Sequence, residues 1–142
     1  MSSGRIFPAQ FLIMSGQKFP KTERLCGLKL ISSLFEEGET FYIKGYKVII
    51  KEVSVTEGVP VKIAFAVPKR SFKKAVDRNL IRRRLREAYR KAKEPLFNVL
   101  ERNGKQLAIM VIYLGKEIDT YPIVEDSIFT MVKIIVNRIS VS

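Results

Sequence analysis

The chain has 142 residues, 46% of them hydrophobic and 28% charged, which suits one globular domain with an ordinary core. Lys and Arg number 26 against 14 Asp and Glu, a net charge of +12, so a polyanionic partner is favoured. With no His and one Cys, a disulfide framework, a Cys/His zinc site and every histidine-based catalytic scheme are excluded.

Residues 1–18 hold a short apolar run, Phe11-Leu12-Ile13-Met14, flanked by Pro8 and Gly16. It is too short to span a bilayer or to form the core of a secretory signal. Residues 1–18 are therefore expected to be a flexible N-terminal extension, followed by one domain over 19–142. A helix is predicted over 21–37, where Leu25, Leu28, Ile31, Leu34 and Phe35 recur at helical steps and Gly38 supplies the stop. Cys26 lies in this apolar pattern and is expected to be packed, not reactive. One unpaired thiol points to a cytoplasmic location.

Residues 40–55 are β-rich, in two runs separated by Lys44-Gly45, which predicts a turn or a kink. After Gly58-Val59-Pro60 comes a third strand over 61–67. Val61, Ile63, Phe65 and Val67 share one face; Lys62, Ala64 and Ala66 share the other, which is small and partly cationic. Pro68 ends that strand, and Ser71 is placed to cap a helix over 72–93. Pro95 interrupts it, and a second helical piece runs to about residue 101. Asn103-Gly104 is a turn, 106–114 is a continuous apolar run suited to a central strand, and a last helix runs from Thr120 or Pro122 to Ile139. Its apolar stripe is Ile128, Met131, Val132, Ile135 and Ile139.

The positive charge is concentrated. Residues 62–93 carry thirteen basic and two acidic side chains, whereas the rest of the chain carries thirteen and twelve. On a helical wheel with Arg78 at zero, Arg82, Arg86, Asn79, Arg90 and Arg83 span about 40° to 140°, while Ile81, Leu85, Ala88 and Ala92 span roughly 280° to 340°. Arg84 lies apart on the other flank. One side of this helix therefore packs, and the other displays arginines that can fork onto phosphates. A solvated surface helix would mix signs for i,i+4 pairing, and this one barely does. A membrane-surface helix would need bulkier residues than Ile81, Leu85, Ala88 and Ala92 on its apolar side. No helix-turn-helix or zinc module is present, so a backbone- and shape-reading mode, as in RNA recognition, fits best.

From Val67 to Arg90 the chain reads VPKRSFKKAVDRNLIRRRLREAYR. This resembles the arginine-asparagine signature of the bacterial ribonuclease P protein family, and Arg24, Leu25, Leu34-Phe35 and Gly38 resemble the family's first helix. The resemblance covers roughly residues 19–139. It implies an α+β fold, a single αβββαβα-type domain whose mixed sheet is packed by helices, with a left-handed βαβ crossover. It implies a protein subunit that binds the catalytic ribonuclease P RNA and the 5′ leader of precursor tRNA. No catalytic residue and no metal ligand falls on the protein; Mg²⁺ is expected in the ribonucleoprotein, and no cofactor on the protein alone. A monomer without membrane association is expected. Carried over by position, Arg78, Asn79, Arg82, Arg83 and Arg86 face the RNA, with Lys69 and Arg70 as the basic pair at the strand end. Lys73, Lys74 and Arg90 complete the expected RNA-binding set. Phe35, Lys47, Ile49 and Ala66 resemble leader-cleft positions, and Lys62 and Ala64 continue that groove.

Two departures stand out. The usual Arg-Asn-Arg reads Arg78-Asn79-Leu80, and cleft positions often Phe and Tyr read Ile31 and Ile49. Since stacking contributes about 1–3 kcal/mol per base, a less aromatic cleft implies weaker leader contacts. The competing expectation is a ribosomal or other structural RNA-binding protein without processing activity.

Overall fold

The computed structural model describes residues 24, 28–54 and 59–141. The expected extension over 1–18 and Cys26 lie outside the described residues. Among the described residues the chain runs α1 (Leu28–Glu37), β1 (Glu39–Ile43), β2 (Tyr46–Val53), β3 (Val61–Ala66), α2 (Ala75–Ala92), α3 (Glu94–Asn103), β4 (Gln106–Tyr113) and α4 (Tyr121–Val141). This is the expected α+β order, with the second helical piece realised as α3, which carries Pro95 in its first turn instead of starting after it.

The four strands form one mixed sheet in the order β1-β2-β4-β3. β1 and β2 are a hairpin. Its two-residue turn places Lys44 at φ 43 and Gly45 at φ 86, the paired positive φ values whose twist matches that of antiparallel strands. β4 is central, antiparallel to β2 and parallel to β3. The β3–β4 link is therefore a crossover, and α2 and α3 supply it.

Strand alternation divides the residues between two faces. Ile43, Tyr46, Val48, Ile50, Val61, Ile63, Phe65, Leu107, Ile109, Val111 and Tyr113 point into the main core, which α2, α3 and α4 cover. The predicted stripe of α4, Ile128, Met131, Val132, Ile135 and Ile139, is buried there. On the second face, Leu34 of α1 packs with Ile49, Ala108 and Met110, flanked by Ile31, Ala64, Ala66 and Ile112. Gly38 allows this docking. A Cβ there would collide with the Leu34 carbonyl oxygen and stand 2.6 Å from Ile49 Cγ2.

Two boundaries differ from the sequence expectation. Arg24, placed in a helix by periodicity, instead forms a parallel β-bridge with Ile63 at the outer edge of β3. α2 begins at Ala75, not near Ser71. Ser71 lies in a turn, donating its N–H to the Pro68 carbonyl, and the N-cap is Lys74, which makes no side-chain capping bond.

Candidate nucleic-acid interface

α2 has the two sides that its wheel predicts. Ile81, Leu85, Ala88, Tyr89 and Ala92 are buried against the sheet and α4. Tyr89 is the one member the sequence reading missed; it lies four residues after Leu85, and its ring meets Phe65 edge-on at 6.0 Å. Arg84, on the other flank, donates to the Asp119 carbonyl at 2.6 Å and ties α2 to the segment before α4.

On the outward side, Asn79, Arg83 and Arg86 are exposed and Arg82 is half-buried. Arg82 Nη2 donates to Asn79 Oδ1 at 2.6 Å, so the pair presents one connected polar surface. Desolvation by the atoms around it and the nearby guanidinium groups of Arg24 and Arg82 hold Arg86 below its ordinary pKa. Arg24 therefore belongs to this cationic cluster. Its bridge to β3 brings it there, a tertiary placement that helical periodicity obscured.

Two residues of the expected row are engaged by the protein itself. Arg90 donates from Nε (3.1 Å) and Nη2 (2.6 Å) to the two carboxylate oxygens of Glu87. That bond lowers the Glu87 pKa and raises that of Arg90. Arg78 Nη1 donates to two backbone carbonyls, Phe72 at 2.8 Å and Lys73 at 2.9 Å.

The segment between β3 and α2 carries Lys69, Arg70, Lys73 and Lys74, all exposed. Phe72 anchors it: the ring is buried and lies 5.8 Å from the Tyr113 ring. This segment leaves the sheet at Ala66. There the register aligns Tyr42, Lys47, Ile112 and Ala66 across all four strands on the second face.

The expected cleft residues separate accordingly. Lys47, Ala64 and Ala66 are half-buried on that face, and Phe35 is 53% exposed and so is not core. Ile49 and Lys62 do not present an open surface. Ile49 is 2% exposed because Leu34 and Gly38 of the α1 segment sit on it, and Lys62 is 8% exposed. Tyr42, absent from the sequence-based set, is 67% exposed at the end of the row. Its signal was the alternation of β1, which puts it opposite Phe41 and Ile43.

Among the described residues no group of three or more His, Cys, Asp and Glu side chains is placed to hold a metal ion, and no helix is long and apolar enough to cross a membrane.

Comparisons with known proteins bear on the family and the fold. The family model for Ribonuclease P matches residues 19–131. The ribonuclease P protein component of Chlorobium phaeobacteroides is 35% identical over 115 residues, covering 72% of this chain and 78% of that protein. The ribonuclease P protein component of Porphyromonas gingivalis is 30% identical over 105 residues, covering 74% and 77%. Among solved structures, the RNase P protein of Staphylococcus aureus superposes with a TM-score of 0.64 at 20% identity, over 81% of this chain and 96% of its own. That of Thermotoga maritima gives 0.61 at 22% identity, over 78% and 96%. At these identities the structural likeness establishes the fold.

Proposed function

This chain belongs to the ribonuclease P protein family, and from that premise we propose that it binds a catalytic RNA and the 5′ leader of precursor tRNA, supporting endonucleolytic removal of the leader. The observation that carries the proposal is the continuity of two surfaces. The outward side of α2 (Asn79, Arg83 and Arg86 exposed, Arg82 half-buried) adjoins the basic loop (Lys69, Arg70, Lys73, Lys74), which springs from the open end of the sheet.

The division of labour follows from the chemistry. Arginines about one helical turn apart suit the phosphates of a folded RNA, bound by charge and shape. The Tyr42–Lys47–Ile112–Ala66 row suits a single strand: one exposed aromatic ring to stack on a base, one cation for the backbone, an apolar Ile112, and the small Ala66 that lets the strand approach. Tyr42 offsets part of the aromatic character lost at Ile31 and Ile49. The catalytic RNA with its Mg²⁺ supplies the hydrolytic chemistry in this reading, and the protein raises the affinity of the complex for its substrate.

The test adds the protein to a bacterial ribonuclease P RNA and precursor tRNA at low Mg²⁺. Faster leader removal than with RNA alone is expected. Equal rates would reject the proposal and favour a structural RNA-binding protein without a processing role.

A further inference from the structure

We infer that Arg78 is a positioning residue: its guanidinium fixes the 68–74 loop so that Lys69, Arg70, Lys73 and Lys74 meet the RNA together, and it does not itself grip a phosphate. The inference rests on the RNA-binding reading above and assigns Arg78 a role different from that of its neighbours in the row.

The loop needs such a device. It carries four cations within six residues, and their mutual repulsion favours a spread-out ensemble. Its own backbone bonds are few: the N–H groups of Ser71 and Phe72 both reach the Pro68 carbonyl, each at 3.2 Å, and the Lys74 carbonyl accepts from the Asp77 and Arg78 N–H groups as α2 begins, so what else holds the loop must come from side chains. The N-cap residue Lys74 contributes no side-chain bond. Two contacts remain. The Phe72 ring is sunk in the core beside Tyr113, and Arg78 Nη1 reaches across from the first turn of α2 to the Phe72 and Lys73 carbonyls. Charge-assisted bonds of 2.8 and 2.9 Å are short and directional, so they fix the backbone at the two residues that lead into the helix. Arg78 is half-buried in doing so, whereas Arg83 and Arg86 stand exposed with no such bond. Holding the loop before RNA arrives removes an ordering cost from binding.

The test compares Arg78→Met, which keeps the aliphatic stem, with Arg82→Ala. The probe is a bacterial ribonuclease P RNA transcript, and the readout is the slope of log affinity against log salt. Loss of one phosphate contact lowers that slope by about 0.7–0.9, the change expected for Arg82→Ala. Arg78→Met is expected to lower it by about two contacts or more, because the loop cations are released together. In a chain whose four loop cations are already Ala, Arg78→Met should change the slope hardly at all, while Arg82→Ala keeps its effect. A loss of one contact or less for Arg78→Met in the native background, or an equal loss in both backgrounds, overturns the inference.

A second measurement needs no variant. Phenylglyoxal modification of the native protein should be slow at Arg78 with or without RNA, and fast at Arg83 and Arg86 until RNA protects them. Fast modification of Arg78 that RNA then suppresses overturns the inference. If RNA protects neither Arg83 nor Arg86, the RNA-binding reading itself fails, and slow modification of Arg78 in the free protein still reports the clamp.

Discussion

Leu85 and Arg82 lie on one helix three residues apart, yet substitution at each should report on a different property. Leu85 is 0% exposed in the main core. Leu85→Ala removes three carbons, about 2.4 kcal/mol at about 0.8 kcal/mol per buried methylene. A residual cavity of about 60 Å³ adds about 1.4 kcal/mol at about 24 cal/mol per Å³. The expected loss is therefore about 4 kcal/mol, read as a lower midpoint in urea with an unchanged slope. Arg82→Ala removes only a bond to the exposed Asn79, so stability should stay within about 0.5 kcal/mol. Affinity for RNA should fall instead, with the shallower salt dependence of one lost phosphate contact. A loss below about 1 kcal/mol for Leu85→Ala would place that side chain outside a packed core. Unfolding by Arg82→Ala without a specific loss of affinity would show that the row supports the fold and is not a binding surface.

Glu87 holds Arg90 in a two-pronged ion pair, so Glu87→Gln should remove a negative charge beside the binding row and loosen the hold on Arg90. RNA affinity should rise, and the salt slope should steepen by up to about 0.9; filter binding across a salt series checks this, and an unchanged slope would mean that Arg90 remains out of reach. Gly38→Ala should destabilise the domain by about 1–3 kcal/mol, because the added methyl group must displace α1 from Ile49 and not merely a flexible side chain. A thermal melt indistinguishable from that of the native protein would contradict the close docking of α1.

Local rules account for the parts of the fold that were legible in advance. Two-residue alternation assigned Val61, Ile63 and Phe65 to one face and Ala64 and Ala66 to the other, and the core division follows it. A period of 3.6 residues placed Ile81 and Leu85 inward and Arg83 and Arg86 outward. Both periodicities are properties of the backbone and hold wherever the element sits. Arg90 was expected to bind RNA, and its pairing overrides that expectation although the signal for it, Glu87 three residues earlier on the same helical face, lies in the sequence.

Where an element docks is not a local property. The start of α2 shifted to Ala75 because Phe72 is drawn into the core and Arg78 holds the carbonyls behind it. Arg24 left its predicted helix to pair with Ile63, a contact between segments distant in the chain. Periodicity could say that Ile49 and Phe35 lie on faces, but only the seating of α1 across the sheet buried the first and exposed the second. The amino-acid order alone set the elements, their inward and outward sides and the single basic stretch, because these depend on neighbours within a few residues. Tertiary packing decided which arginines are left to meet a partner and which are spent on the protein itself, because a guanidinium binds whatever acceptor folding brings within reach.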